Sequence, residues 1–232
     1  MPEAESVARD DKTRKAEETR KRILAAAMKL FLEEGYEKAT MRRIAELSGL
    51  TPGAAYYYFP AKENIVFRYY EDSYADHLPE AERVLAEEKG LRERVAGMIA
   101  AHLRLAGPFH PISKALYRVA SDPGSPLSPF SAESKPLRDR NIALFARALE
   151  GHTTGLPKAV RDRLPELLWL YKMGVILFWL YDDSQGQSRT QRFLDQTSDM
   201  LVKLIRLSKV PGIGSFASRL AKLVDDFKPW KD

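Results

Sequence analysis

The sequence predicts an all-α protein: an N-terminal three-helix unit joined to a larger helical body. Three observations carry this. Apolar residues recur at three- and four-residue intervals along most of the chain, and no alternating pair of segments suggests strands. Residues 40–62 read TMRRIAELSGLTPGAAYYYFPAK, a short helix, a tight turn at Gly49 and a second short helix opening on Thr51-Pro52-Gly53. Loops stand where Pro and Gly cluster, most clearly at Asp122-Pro-Gly-Ser-Pro-Leu-Ser-Pro.

Residues 1–16 are polar, lack periodicity and read as a disordered arm. A first helix is expected over 17–34, where Ile23, Ala26, Ala27, Leu30 and Phe31 form one stripe and Gly35 ends it. Thr40 is the N-cap of the second helix, with Arg43 rather than an acid three residues on, so the capping box is incomplete. Ile44 and Ala45 face inward, and Ala45 is small enough to let another helix cross closely. Gly49 supplies a turn at positive φ. Thr51 caps the third helix, and Pro52 takes its first position, where a missing N–H costs nothing. Ala55 and Phe59 face the core, and Pro60 stops the helix. A fourth helix begins at Ala61-Lys62-Glu63, runs to about His77 with Ile65, Val66, Tyr69 and Tyr70 on its buried side, and connects the small unit to the body. Further helices are expected over 79–89, 91–106, 112–120, 134–150, 164–181, 190–208 and 214–227. The expected division is an arm over 1–16, a helix-turn-helix domain over 17–62, and a dimerisation and ligand-binding domain over 63–232.

Composition narrows the function classes. The 232 residues are 44% hydrophobic and 30% charged, an ordinary globular balance. With no cysteine, disulfide scaffolds, thiolate zinc sites and cysteine nucleophiles are excluded. The four histidines, 77, 102, 110 and 152, show no close metal spacing. No nucleophile elbow and no phosphate-cradling glycine loop occurs. The expectation is therefore a non-enzyme without metal or cofactor. The apolar run over 167–181 holds Lys172 and Gly174 and is too short to span a bilayer comfortably. The charged N-terminus lacks the apolar core of a secretory signal. A cytoplasmic protein without a membrane partner is expected.

Net charge is +5. Between Arg9 and Arg68, thirteen basic residues minus nine acidic ones give +4, so the segment that holds the motif is basic. A basic helix-turn-helix on a near-neutral body suits insertion of the second short helix into the DNA major groove. Consecutive helical residues point about 100° apart. With Ala55 and Phe59 inward, Pro52, Gly53, Tyr56 and Tyr57 turn outward and Tyr58 lies to one flank. A tyrosine can donate its hydroxyl to a phosphate or lay its ring on a thymine methyl. Gly53 lets the backbone approach a base edge, and Arg42 can reach guanine. Arg43 and Thr51 adjoin the same surface. Lys62 sits at a helix N-terminus, where amides favour an anion.

The segment 22–65 resembles the DNA-binding domain of the TetR family of bacterial transcriptional regulators. The matching residues are Ile23-Leu24-Ala25-Ala26-Ala27, Leu30-Phe31, Gly35-Tyr36, Ala39-Thr40, Ile44-Ala45, Gly49, Thr51-Pro52-Gly53, Tyr56, Tyr58-Phe59 and Lys62-Glu63. The resemblance implies phosphate contacts at Tyr56 and Lys62 and base contacts at Arg42, Gly53 and Tyr57. Relatives often carry histidine or another aromatic at the position of Tyr57, and a larger residue, commonly leucine, at Ala55. The resemblance also implies a homodimer with an effector pocket in the body.

The dimer has support from the residues themselves. Positions 167–171 and 175–180 are apolar on nearly all sides and must be covered on all sides. Such a helix is either the centre of a monomer core or, with 190–208, half of a four-helix bundle across a two-fold axis. Two readers then face half-sites about one DNA turn apart or slightly more. Candidate pocket residues are His102, Phe109, His110, Tyr117, Phe145, Trp169 and Phe178, and their aromatic character favours a lipophilic ligand. The expected function is a repressor released from a palindromic operator by a small lipophilic molecule. The alternative is an activator or DNA-organising protein without such a ligand.

Overall fold

The structure, a computed structural model, describes residues 2–210 and residues 214, 215, 218, 219 and 222, with side chains from residue 13 onward. Among them the fold is all-helical, as predicted, with no strand. The helices are α1 (Pro2–Glu33), α2 (Met41–Leu47), α3 (Pro52–Tyr58), α4 (Lys62–Glu87), α5 (Leu91–Ala106), α6 (His110–Ala120), α7 (Lys135–Ala148), α8 (Lys158–Leu180) and α9 (Ser188–Leu207). Short 3-10 turns precede α6 and α9. The helix expected over 214–227 lies largely outside the described residues.

Three boundaries differ from the sequence expectation, each for a local reason. Helix α1 starts at Pro2 rather than near 17. Residues 3–16 are polar, but most are Ala, Glu, Lys or Arg, and no Gly or Pro follows Pro2 to interrupt a helix. Helix α4 is continuous through Pro79, where two helices were expected. Proline removes the N–H that would bond Ala75, but both positions are exposed, so water can take the freed carbonyl. Helix α8 likewise begins at Lys158 and carries Pro165 within it; the carbonyl deprived of its donor belongs to exposed Arg161.

The chain forms two compact units. The first comprises Met1–Asp72 and Pro111–Ser128. Its core joins Ile23, Ala27 and Phe31 of α1, Ile44 and Ala45 of α2, Ala55 and Phe59 around α3, and Ile65 and Val66 of α4. Leu116 and Leu127 belong to the same core, so α6 and the proline-rich loop after it pack here. Burying a side chain such as Phe31 or Ile44 contributes about 1.5–3 kcal/mol.

The second unit comprises Ser73–His110 and Pro129–Asp232. Its core includes Val95, Met98 and Ile99 of α5, Leu144 and Phe145 of α7, Leu168, Trp169 and Val175 of α8, and Leu194, Val202 and Ile205 of α9. Two buried charges organise its loops. Arg138 donates from Nη1 to the carbonyls of Pro129 (2.9 Å) and Ser131 (3.0 Å), fixing the approach to α7. Asp182 accepts from the backbone N and Oγ of Ser184 (3.0 and 2.6 Å), and from the backbone N and Oγ1 of Thr190 (2.7 Å each).

Asp182 thus serves orphan donors at the start of α9. Burial works against its charge, but these four bonds outweigh it and hold the carboxyl well below its ordinary range. A depressed folded-state pKa contributes stability above the unfolded value of about 3.9, lost as pH falls below it. Asp182→Asn is expected to lower unfolding stability by about 1–2 kcal/mol near neutral pH. The gap from wild type should narrow below about pH 4 in urea titrations run at several pH values.

Candidate nucleic-acid interface

The turn between α2 and α3 is set by three local devices. Thr40 is extended and its Oγ1 accepts from the backbone N of Arg43 at 3.3 Å. Gly49 lies at φ 69°, in the left-handed region that disfavours a Cβ. Thr51 is extended and its Oγ1 accepts from the backbone N of Ala54 at 3.2 Å, with Pro52 as the first residue of α3. Both caps and the turn stand where the sequence predicts them.

The inner face of α3 is Ala55, fully buried, with buried Phe59 one turn on. The outer face carries Pro52, Gly53, Tyr56 and Tyr57, all exposed; Tyr57 shows 84% of its surface and Tyr56 51%. Tyr58 is half-buried. Its ring meets Tyr57 edge-on at 5.3 Å and lies 5.6 Å from the Arg20 guanidinium. Tyr57 therefore projects from a rigid element and rests on an aromatic neighbour.

The flanking cations differ in how firmly they are held. Arg42 is exposed and pairs with Glu46 at 3.2 Å. A pair this exposed is worth little, so its guanidinium can exchange to a phosphate or base. Arg43 is engaged by both oxygens of Glu34, which ties α2 to the end of α1. Thr51 is exposed, with its hydroxyl occupied by the cap. Lys62 donates from Nζ to the carbonyl of Tyr36 at 3.0 Å, and its ammonium lies 4.0 Å from the centre of the Tyr36 ring. The Tyr36 hydroxyl in turn donates to Glu63 Oε1 at 2.6 Å. Burial, then the bond to Glu63, push the Tyr36 phenol upward, so it stays protonated as a donor. The roles of Tyr36 and Glu63 in positioning Lys62 went unread in the sequence, since a contact 26 or 27 residues apart leaves no periodicity.

The residues predicted to line a pocket do not share one environment. Phe145 and Trp169 are buried in the core of the second unit, and Trp169 meets Phe130 edge-on at 5.7 Å. Phe178 stacks on Phe193 at 4.4 Å. His110 contacts the Trp179 ring at 4.5 Å and its carbonyl at 3.0 Å. Phe109 is exposed, and Tyr117 belongs to the first unit. His102 packs edge-on against His77 at 5.2 Å. An open hollow lined by Pro157, Ser208, Lys209, Val210, Gly214, Ser215 and Ser218 contains none of them. Among the described residues, no three His, Asp or Glu side chains converge as a metal site. No described helix is long and apolar enough to cross a membrane.

A capped helix-turn-helix with an exposed second helix, followed by a helical body, is the architecture of a bacterial DNA-binding regulator. Residues 23–69 match the family model of bacterial regulatory proteins of the tetR family, and residues 94–220 match that of the tetracyclin repressor-like C-terminal domain. The chain belongs to the TetR family of transcriptional regulators. It is similar to the HTH-type transcriptional regulator TtgR of Pseudomonas putida, 25% identical over 202 residues, 80% of this chain and 92% of that one. It is also similar to the fatty acid metabolism regulator protein of Bacillus subtilis, 27% identical over 88 residues, 38% of this chain and 45% of the relative. A third relative is the repressor AcnR of Corynebacterium glutamicum, 38% identical over 94 residues, 40% of this chain and 46% of the relative. These two matches span less than half of each relative. A TetR-family structure from Syntrophomonas wolfei shares the fold at a TM-score of 0.66 and 21% identity, covering 80% of this chain and 95% of that one.

The two glycines of the motif should separate in a stability assay. Gly49→Ala forces a Cβ into the left-handed region and is expected to lower stability by about 1 kcal/mol. A Cβ at Gly53 meets nothing within 4 Å, so Gly53→Ala should leave the urea midpoint unchanged or slightly raised.

Proposed function

We propose that the chain is a transcriptional repressor that binds a palindromic operator as a homodimer and is released by a small lipophilic effector. The observation that carries this reading is the outer face of α3, where Gly53, Tyr56 and Tyr57 stand exposed on a helix locked from behind by Ala55 and Phe59. Tyr57 reads bases, Gly53 lets the backbone approach them, and Arg42 exchanges its exposed carboxylate partner for the DNA. Tyr56 and Lys62 hold phosphates, Lys62 using the donors its bond to Tyr36 leaves free. Pro52 and Thr51 set the angle at which α3 enters the groove. Arg43 and Tyr58 stand at the margins, the first braced by Glu34.

The dimer reading draws on the surface of α8 and α9. Met200 and Leu204 each show 62% of their surface, and Leu207 and Leu177 are exposed as well. Positions 200, 204 and 207 recur at helical spacing, so α9 presents an apolar stripe to solvent, a feature of interaction surfaces. Pairing α8 and α9 with their copies in a second chain covers it.

Effector action is a population shift: the ligand must prefer the state that does not bind operator. Helix α4, whose residues fall partly in each unit, is the route by which the body influences α3.

Three variants test this on an operator selected by the wild-type protein. Tyr57→Ala should weaken specific binding by about 1–3 kcal/mol and blur sequence preference, with unchanged folding stability. Lys62→Ala should weaken all DNA and reduce the salt dependence by about one charge. An unchanged salt slope removes Lys62 from the phosphate contacts. Leu204→Glu should shift sedimentation from dimer to monomer; a dimer that persists moves the interface elsewhere.

A further inference from the structure

Lys172 lies in the middle of α8 and is only 4% exposed. Among the described residues its one hydrogen-bond partner is neutral, Asn141 Oδ1 on α7, at 2.8 Å. The Asn141 amide nitrogen donates to the carbonyl of Leu137 at 2.9 Å, which orients the oxygen toward Lys172. Among the described residues no carboxylate pairs with this ammonium. An ammonium has three donors, so two are left without a hydrogen-bond partner in the interior.

Two imidazoles stand close by. His77 of α4 is 3% exposed; its Nε2 bonds the carbonyl of Met98 at 2.9 Å, and its Nδ1 is buried without a partner. His102 of α5 meets His77 edge-on. Burial, followed by the nearby charge of Lys172, pulls His77 down to about 4 and His102 well below its usual value. Burial pulls Lys172 down to about 8. Near neutral pH the cluster therefore holds two neutral imidazoles and one positive charge; Glu80 acts on His77, but among the described residues no carboxylate is bonded to Lys172.

Leaving a charge buried and unpaired is costly, and an apolar residue of the same size would be cheaper. An anion entering the cluster would supply the missing partner. One negative charge balances it. One turn along α8 lie buried Leu168, Trp169 and Val175, and one turn along α7 lies buried Phe145. The surroundings of the charge are thus apolar.

We propose that this cluster is the anchor of the effector site, and that the effector is a monocarboxylate with an apolar body whose acid group binds Lys172 between Asn141, His77 and His102. This rests on the ligand-responsive reading above. One carboxylate oxygen takes the free donors of Lys172. The second lies toward the imidazoles, whose protonation becomes easier once the charge of Lys172 is neutralised.

The test is calorimetry on the full chain without DNA, titrating straight-chain carboxylates from hexanoate to dodecanoate and the matched alcohols. At least one acid should bind about tenfold or more tighter than its alcohol, the worth of a charge-assisted bond. Lys172→Met and Lys172→Gln should abolish that preference while alcohol binding persists. Their melting temperatures should equal or exceed that of wild type, because a buried unpaired charge has been removed. Absence of binding by every acid, or equal acid affinity in wild type and a folded Lys172 variant, overturns the proposal. Repeating the titration with operator separates the two readings. An acid that binds through Lys172 yet leaves operator affinity unchanged upholds the site and contradicts release by ligand. Operator release by uncharged molecules alone upholds release and contradicts the carboxylate anchor.

Discussion

Ala55 has no exposed surface, and the candidate DNA-facing surface of the first unit depends on that packing constraint. A residue this small on the inner face of α3 shares one core with Ile44 and Ala45, while Phe59 closes the end of the helix. Once that face is fixed, the 3.6-residue turn leaves Gly53, Tyr56 and Tyr57 no choice but to face outward. Thr40 and Thr51 hold the ends of the two short helices, and neither α2 nor α3 is long enough to be stable alone. The candidate interface is thus held by its buried back and its capped termini, not by the exposed residues holding one another.

Much of this was legible in the sequence because the signals are local. A threonine before a helix, a proline at its first position and a glycine at a turn each act within four residues. The inward pair Ala55 and Phe59 follows from periodicity alone. Where the sequence misleads, the deciding factor is solvent or distance. Helix starts are expected at 79 and 164, yet exposure of the orphaned carbonyl's residue makes Pro79 and Pro165 tolerable within longer helices. The polarity of residues 3–16 suggests disorder, while their helix propensity supports α1 through them. Leu116 and Leu127 share a core with residues some fifty and more positions away, and no local pattern announces that.

The body was legible as helices but not as a site. Of the aromatic residues singled out as pocket walls, Phe145 and Trp169 belong to the core of the second unit, one turn from Asn141 and Lys172. The more informative residue was visible as a lysine interrupting an apolar run. From sequence, Lys172 argues only against a membrane span. In the fold it is a charge enclosed by apolar helices, beside two histidines that it helps to keep neutral. A structural core does not need such a group, and the proposed carboxylate site gives it a partner. The exposed stripe on α9 makes a parallel point: an apolar surface that costs solubility in isolation would be covered in the proposed dimer.

Reading of a defined DNA site by the outer face of α3, with two copies of the chain acting together, is the core of the proposed function. Its most direct test is selection of bound genomic fragments by purified protein, followed by footprinting of the selected fragments. One palindromic protected site is expected, its half-sites about one helical turn apart or slightly more, overlapping a promoter. Binding spread across fragments with no shared site, or no binding by folded dimeric protein freed of small molecules, would contradict it.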